Sequence, residues 1–87
     1  MKTKNSIEIY YKSWCRFSMA ALALLDDLGL AYEAIDVTSD RTRETEMIRR
    51  SGRTSVPEIF INGALIGGYD DFRSLVDTGA FGGRKAA

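Results

Sequence analysis

The 87-residue chain balances twelve basic against twelve acidic side chains, has 45% hydrophobic residues, and contains no histidine and a single cysteine. That length suits one small domain, residues 1–87, burying roughly 60–65% of the surface its unfolded chain exposes. Charge balance argues against nucleic acid as a partner, the missing histidine removes the commonest general base and metal ligand, and one cysteine excludes an internal disulfide framework.

Arg41, Arg43, Arg49, Arg50 and Arg53 alternate with Glu44 and Glu46 in the way of a solvated helix face rather than a basic patch. No apolar run approaches the roughly 18 residues that a membrane span requires, and Met1-Lys2-Thr3-Lys4 leads into a strand-like segment rather than a secretory apolar region. The expectation is a soluble, cytoplasmic protein with no membrane partner, because a lone thiol suits a reducing compartment.

Along the chain, Ile7, Ile9 and Tyr11 alternate with Glu8, Tyr10 and Lys12, so residues 6–11 read as a strand. Phe17, Ala21, Leu24, Leu25 and Leu28 then recur at helical spacing, with Ser18, Asp26 and Asp27 off that stripe and Gly29 placed to close the helix. Ala31 to Val37 reads as a second strand, parallel to the first by the right-handed crossover rule. Ser39 or Asp40 can cap a second helix that is mostly charged, is anchored by Met47 and Ile48, packs weakly on the surface and ends at Ser51-Gly52.

Beyond Pro57, Glu58-Ile59-Phe60-Ile61 and Ala64-Leu65-Ile66 flank Asn62-Gly63, the signal of a hairpin with a type I′ turn. Gly67-Gly68 breaks the hairpin, Asp70 or Asp71 can cap a last helix with Phe72, Leu75 and Val76 as its apolar face, and Gly79 to Ala87 reads as a flexible tail. The order β-α-β-α-β-β-α predicts an α/β fold, one mixed four-stranded sheet flanked by helices.

Cys15 falls where the strand pattern gives way to the helical one, within Ser13-Trp14-Cys15-Arg16-Phe17-Ser18. A sulfur on the first turn of a helix faces unpaired N–H groups and the positive end of the macrodipole, which favour thiolate. Ser18 occupies the place of the second sulfur of a Cys-x-x-Cys protein, so the site works with one thiol. Lys12 and Arg16 add positive charge beside it. The plain alternative is a cysteine that is only a small core residue.

Four segments in this order resemble the glutaredoxins, thioredoxin-fold proteins that use glutathione. They are Tyr11-Lys12-Ser13-Trp14-Cys15-Arg16-Phe17-Ser18, Ser51-Gly52-Arg53-Thr54-Ser55-Val56-Pro57, Ile59-Phe60-Ile61-Asn62-Gly63 and Ile66-Gly67-Gly68-Tyr69-Asp70-Asp71, and the likeness covers about residues 5 to 78. The resemblance implies a cis bond before Pro57, where the residues alone leave a trans proline opening an edge strand equally open. It implies a glutathione site in which Val56 pairs with the extended peptide and Pro57 faces the sulfur. Gly68, the backbone of Tyr69 and Asp70 and the side chain of Asp71 would take the γ-glutamyl end, and Lys12 the glycyl carboxylate. Phe17 either walls the groove or belongs to the helix stripe.

Cys15-Arg16-Phe17-Ser18 departs from both common forms of the family motif, Cys-Pro-Tyr-Cys and Cys-Gly-Phe-Ser. The function implied is a monothiol, glutathione-dependent disulfide oxidoreductase in which Cys15 reduces glutathione mixed disulfides of proteins or small molecules, acting as a monomer. The alternative implied is a [2Fe–2S] carrier with Cys15 and glutathione as ligands across a homodimer. Bulk at Arg16 and the short Lys12-to-Cys15 loop weigh towards exchange.

Overall fold

The computed structural model describes residues 5–81. Its elements run β1 (Ile7–Tyr11), α1 (Arg16–Asp27), β2 (Glu33–Asp36), α2 (Arg41–Ser51), β3 (Glu58–Ile61), β4 (Ala64–Gly67) and α3 (Tyr69–Asp77). The sheet order is β2-β1-β3-β4, with β1 parallel to β2 and antiparallel to β3, and β3 antiparallel to β4. This is the mixed four-stranded sheet with flanking helices that the element order predicts, in the thioredoxin-like arrangement that the resemblance implies. The second strand is shorter than expected, closing to four residues.

Central β1 is buried on both faces. Ile7 and Ile9 join Ala21, Leu25, Ile59 and Phe72 in a core beneath α1 and α3. Tyr10, which the alternation places with the polar residues, is fully buried on the other face with Ile35, Val37, Met47 and Phe60, because α2 covers that side. A two-sided strand has no polar face, so period-2 reading undercounts its core.

With Met47 as its one buried side chain, α2 needs polar help to stay on the sheet. Arg50 supplies it. Its guanidinium lies 4.0 Å from the Phe60 ring centroid, donates to Tyr10 Oη at 2.7 Å and pairs with Glu8 at 2.9 Å. Tyr10 Oη in turn donates to Glu46. Asp40 caps α2, accepting from the Arg43 N–H at 3.0 Å, and Gly52 closes it.

The hairpin turn has positive φ at both Asn62 (54°) and Gly63 (84°), the type I′ requirement. Asn62 also ties the turn to the start of β1, its Oδ1 accepting from the Ser6 N–H at 2.9 Å. Gly68, not an aspartate, is the N-cap of α3; Asp71 sits three residues in and accepts the Gly68 N–H at 3.2 Å. Of the expected tail, Gly79–Phe81 forms a turn that lays Phe81 on Phe72, with ring centroids 5.7 Å apart, and the rest lies outside the described residues. Among the described residues no helix is long and apolar enough to cross a membrane.

Candidate active site

Cys15 is the N-cap of α1, in extended backbone conformation, and its N–H closes a turn onto the Lys12 carbonyl at 3.1 Å. The thiol donates to the Val56 carbonyl across a 3.7 Å gap, and the Val56-Pro57 bond is cis. The strand-to-helix turn and the loop before β3 therefore meet at the sulfur.

Burial pushes the Cys15 thiol up, but the Ser18 hydroxyl, the backbone N–H groups of Ser18 and Phe17 and the charge of Lys12 outweigh it and hold the thiol below its ordinary value. Ser18 is the residue that sequence reasoning undervalued. Read as off the apolar stripe, it is fully buried, and its Oγ accepts the Lys12 N–H at 3.2 Å while supporting the sulfur. A serine at an inward helical position with no apolar contribution to make was the available signal.

Lys12 acts on the thiol, but its ammonium is shared: Nζ lies 3.1 Å from Glu44 Oε2 and 5.6 Å from the centroid of the Trp14 ring. It does not line the adjoining groove. Arg16 is exposed on the first turn of α1, where water screens its guanidinium. Trp14 is 70% exposed beside the sulfur.

A groove of about 260 Å³ runs beside the thiol. Phe17, Val56, Pro57, Gly68, Tyr69, Asp70 and Asp71, all expected at a ligand site, line it together. Phe17 is 55% exposed and faces Tyr69 with ring centroids 6.2 Å apart, so it is a wall of the groove and not part of the core stripe. The start of α3 is built around close approach. A Cβ on Gly67 would stand 2.2 Å from Asp71 Oδ2, and Gly67 has φ +128°, so glycine there lets the Asp71 carboxylate fold back over the helix start.

Two further lining residues, Arg53 and Ser55, were not foreseen. Both bind Glu58, which is wholly buried at the first position of β3. The signal was an acid opening the otherwise apolar run Glu58-Ile59-Phe60-Ile61, with an arginine five residues earlier. A larger hollow, about 570 Å³, lies between the C-terminal ends of α1 and α3 among Leu24, Leu28 and Val76, at the far end of α1 from Cys15. Size alone would favour it, but the smaller groove is the one beside a nucleophile.

In chemical terms the site offers a stabilised thiolate, an adjoining groove with acidic and basic walls, and free backbone groups at a helix start. Of the four sulfur ligands a [2Fe–2S] cluster takes, the chain can supply one.

The family model described as Glutaredoxin matches residues 7–66. Glutaredoxin 3 of Escherichia coli K12 is 41% identical over 70 residues, covering 80% of this chain and 84% of that protein. A probable glutaredoxin of Synechocystis is 40% identical over 80 residues, 91% of each chain. Among solved structures, a buckwheat glutaredoxin–glutathione complex superposes with a TM-score of 0.78 at 25% identity, covering 88% of this chain and 73% of that one. Sequence and backbone agree over most of the chain, which belongs to the glutaredoxin family of thioredoxin-fold thiol oxidoreductases.

Proposed function

We propose that the protein is a glutathione-dependent disulfide oxidoreductase that works through one sulfur, reducing glutathione mixed disulfides of proteins or small molecules in the cytoplasm as a monomer. The observation that carries this reading is the Cys15 thiol, lowered by Ser18, Lys12 and the helix start, beside a groove in which Asp71 and the first turn of α3 face the Val56-Pro57 loop. The buckwheat relative named as a glutathione complex supports glutathione as the occupant.

The Cys15 thiolate attacks the glutathionyl sulfur of a mixed disulfide. The old S–S bond breaks, the substrate leaves as thiolate and takes a proton from water, and Cys15 is left joined to glutathione. A second glutathione thiolate attacks that glutathionyl sulfur, Cys15 returns as thiolate and glutathione disulfide departs, so both electrons come from glutathione. The Val56 backbone pairs with the extended tripeptide, and Phe17 and Tyr69 wall it in. Asp71 accepts from the γ-glutamyl ammonium, while the N–H groups of Tyr69 and Asp70 meet its carboxylate. Lys12 contributes its charge to the thiolate.

The test is glutathione-coupled turnover of a small glutathionyl mixed disulfide. Wild type should turn over and Cys15→Ser should not; wild-type rates at the uncatalysed background would overturn the proposal. Visible absorbance after anaerobic iron and sulfide reconstitution, combined with absent turnover, would assign the carrier role instead.

A further inference from the structure

The turn from Lys12 to Cys15 carries the sulfur from the end of β1 to the start of α1, and it is exposed at Ser13 and Trp14. A short surface turn has many conformations open to it, so a fixed sulfur requires the backbone of the turn to be tied. Three of its N–H groups are. That of Lys12 donates to Ser18 Oγ at 3.2 Å, that of Cys15 to the Lys12 carbonyl at 3.1 Å, and that of Ser13 to Thr38 Oγ1 at 2.9 Å. The first two partners belong to the active-site segment itself. Thr38 comes from the link between β2 and α2, which the sequence reading passed over as a connection.

Asp36 readies Thr38 for that contact. The N–H and the hydroxyl of Thr38 both donate to Asp36 Oδ1, at 2.8 and 2.5 Å. A hydroxyl has one hydrogen and two lone pairs. With its hydrogen on the carboxylate, the Thr38 oxygen can only accept, and what it accepts is the Ser13 N–H, with the Ser13 hydroxyl 3.3 Å away as a second donor. The two Thr38 donors hold the Asp36 carboxyl below its ordinary value, so the acceptor is an anion at neutral pH.

The link is itself anchored. The Val37 N–H donates to the Tyr11 carbonyl at 2.9 Å, and the Val37 side chain is buried with Tyr10, Ile35, Met47 and Phe60. From α2, Glu44 takes the Lys12 ammonium at 3.1 Å. Two adjacent residues of the turn are therefore held from the same side, Lys12 by its side chain and Ser13 by its backbone.

We propose that Thr38 is a positioning residue: oriented by Asp36, it clamps the Ser13 N–H and so keeps the Lys12 ammonium and the Cys15 sulfur in their working arrangement. Its consequence for turnover rests on the oxidoreductase reading, whereas its effect on the sulfur belongs to the folded chain alone. The clamp acts on the thiolate through Lys12, so loosening it moves the titration of Cys15 only while Lys12 is present. The other charges near the sulfur are the same in every variant: Arg16 on α1, Glu44 on α2, and Arg53, Asp70 and Asp71 along the groove.

The experiment follows iodoacetamide alkylation of Cys15 against pH in Thr38→Val, Thr38→Ser and Asp36→Ala, each with and without Lys12→Ala. Steady-state turnover of a small glutathionyl mixed disulfide is measured beside it. Thr38→Val keeps the branched shape and removes the hydroxyl; it should raise the alkylation midpoint by about 0.3 unit, the order set by a partly exposed charge. Its kcat/KM should fall about fivefold even one pH unit or so above the midpoint, where thiolate is nearly complete and only misplacement of the sulfur is left to slow the attack. Thr38→Ser, which restores the hydroxyl, should match wild type in both measurements. Asp36→Ala leaves the oxygen but releases its hydrogen, and should fall between. In the Lys12→Ala background, Thr38→Val should add nothing to the midpoint.

A Thr38→Val midpoint within about 0.1 unit of wild type, a shift of equal size with and without Lys12, or a Thr38→Ser protein that behaves like the valine variant would each overturn the proposal. If Thr38→Val does not fold, Asp36→Ala against Thr38→Ser decides by the same criteria. A wild type without turnover overturns the oxidoreductase reading and leaves the alkylation series to decide on the clamp.

Discussion

Replacing Ser18 with alanine tests the electrostatics of the site most directly. The hydroxyl supports the Cys15 thiolate and also accepts the Lys12 N–H at 3.2 Å, so the substitution has two separable costs. A hydrogen bond to a charged group contributes about 1.5–3 kcal/mol, and the half-buried setting of Cys15 calls for the bottom of that range. At about 1.4 kcal/mol per pH unit, the thiol should rise by about one unit. The assay is the rate of iodoacetamide alkylation against pH, which follows the thiolate fraction; the wild-type midpoint should lie below the roughly 8.5 of free cysteine and the variant about one unit higher.

The second cost is the orphaned Lys12 N–H, about 1–2 kcal/mol at any pH, or about 4–15 °C in melting temperature for a domain this small. The first cost has a pH signature. A thiol lowered by folding adds stability that is complete above its unfolded value near 8.5 and lost as pH falls through its folded value. The stability gap between wild type and Ser18→Ala should therefore widen from pH 6 to pH 9. An alkylation midpoint that moves by less than about 0.3 unit, or a gap that narrows with rising pH, would refute the role given to Ser18.

Three further outcomes are expected. Glu44→Gln should release the Lys12 charge to act undivided on the sulfur and lower the alkylation midpoint by a few tenths of a unit, whereas Lys12→Ala should raise it by a similar amount, both effects fading in about 1 M salt. Gly67→Ala should drive Asp71 off the Gly68 N–H and force an alanine into φ +128°, lowering the melting temperature by about 10 °C or more; Gly68→Ala, whose Cβ would meet only the Pro57 carbonyl at 3.4 Å, should melt within a few degrees of wild type. Arg50→Ala should cost about 2 kcal/mol in urea unfolding by freeing α2 from Phe60, Tyr10 and Glu8, and should leave the Cys15 alkylation profile unchanged.

The fold was legible because local signals agreed with one another. Asn62-Gly63 dictates its turn, Gly29 and Gly52 end their helices, and Cys15 stands at the change of hydrophobic period. What escaped the sequence was whatever depends on a second layer. Tyr10 looks outward until α2 covers the other face of the sheet, and α2 looks detached until Arg50 is seen over Phe60. At the site, most of the expected residues converge on the groove, because the motifs that carry the resemblance are also the loops that meet there. The roles of Ser18, Arg53 and Glu58 were missed for one reason: each is a polar residue whose burial or pairing is set by a partner distant in space or across a loop, which a reading by hydrophobic period does not weigh. Lys12 was found, but its pairing with Glu44 on α2 was not.

The serine behind Cys15 also governs time. In a chain with one sulfur nucleophile, a mixed disulfide formed at Cys15 has no internal exit, so its decay is second order and its lifetime varies inversely with the concentration of thiol in solution. A two-cysteine site would clear itself at a rate fixed by its own geometry. Under the proposed one-sulfur cycle this site would dwell in the modified form for as long as thiol is scarce, and the fraction of molecules carrying an adduct would read out the reducing power of the surroundings.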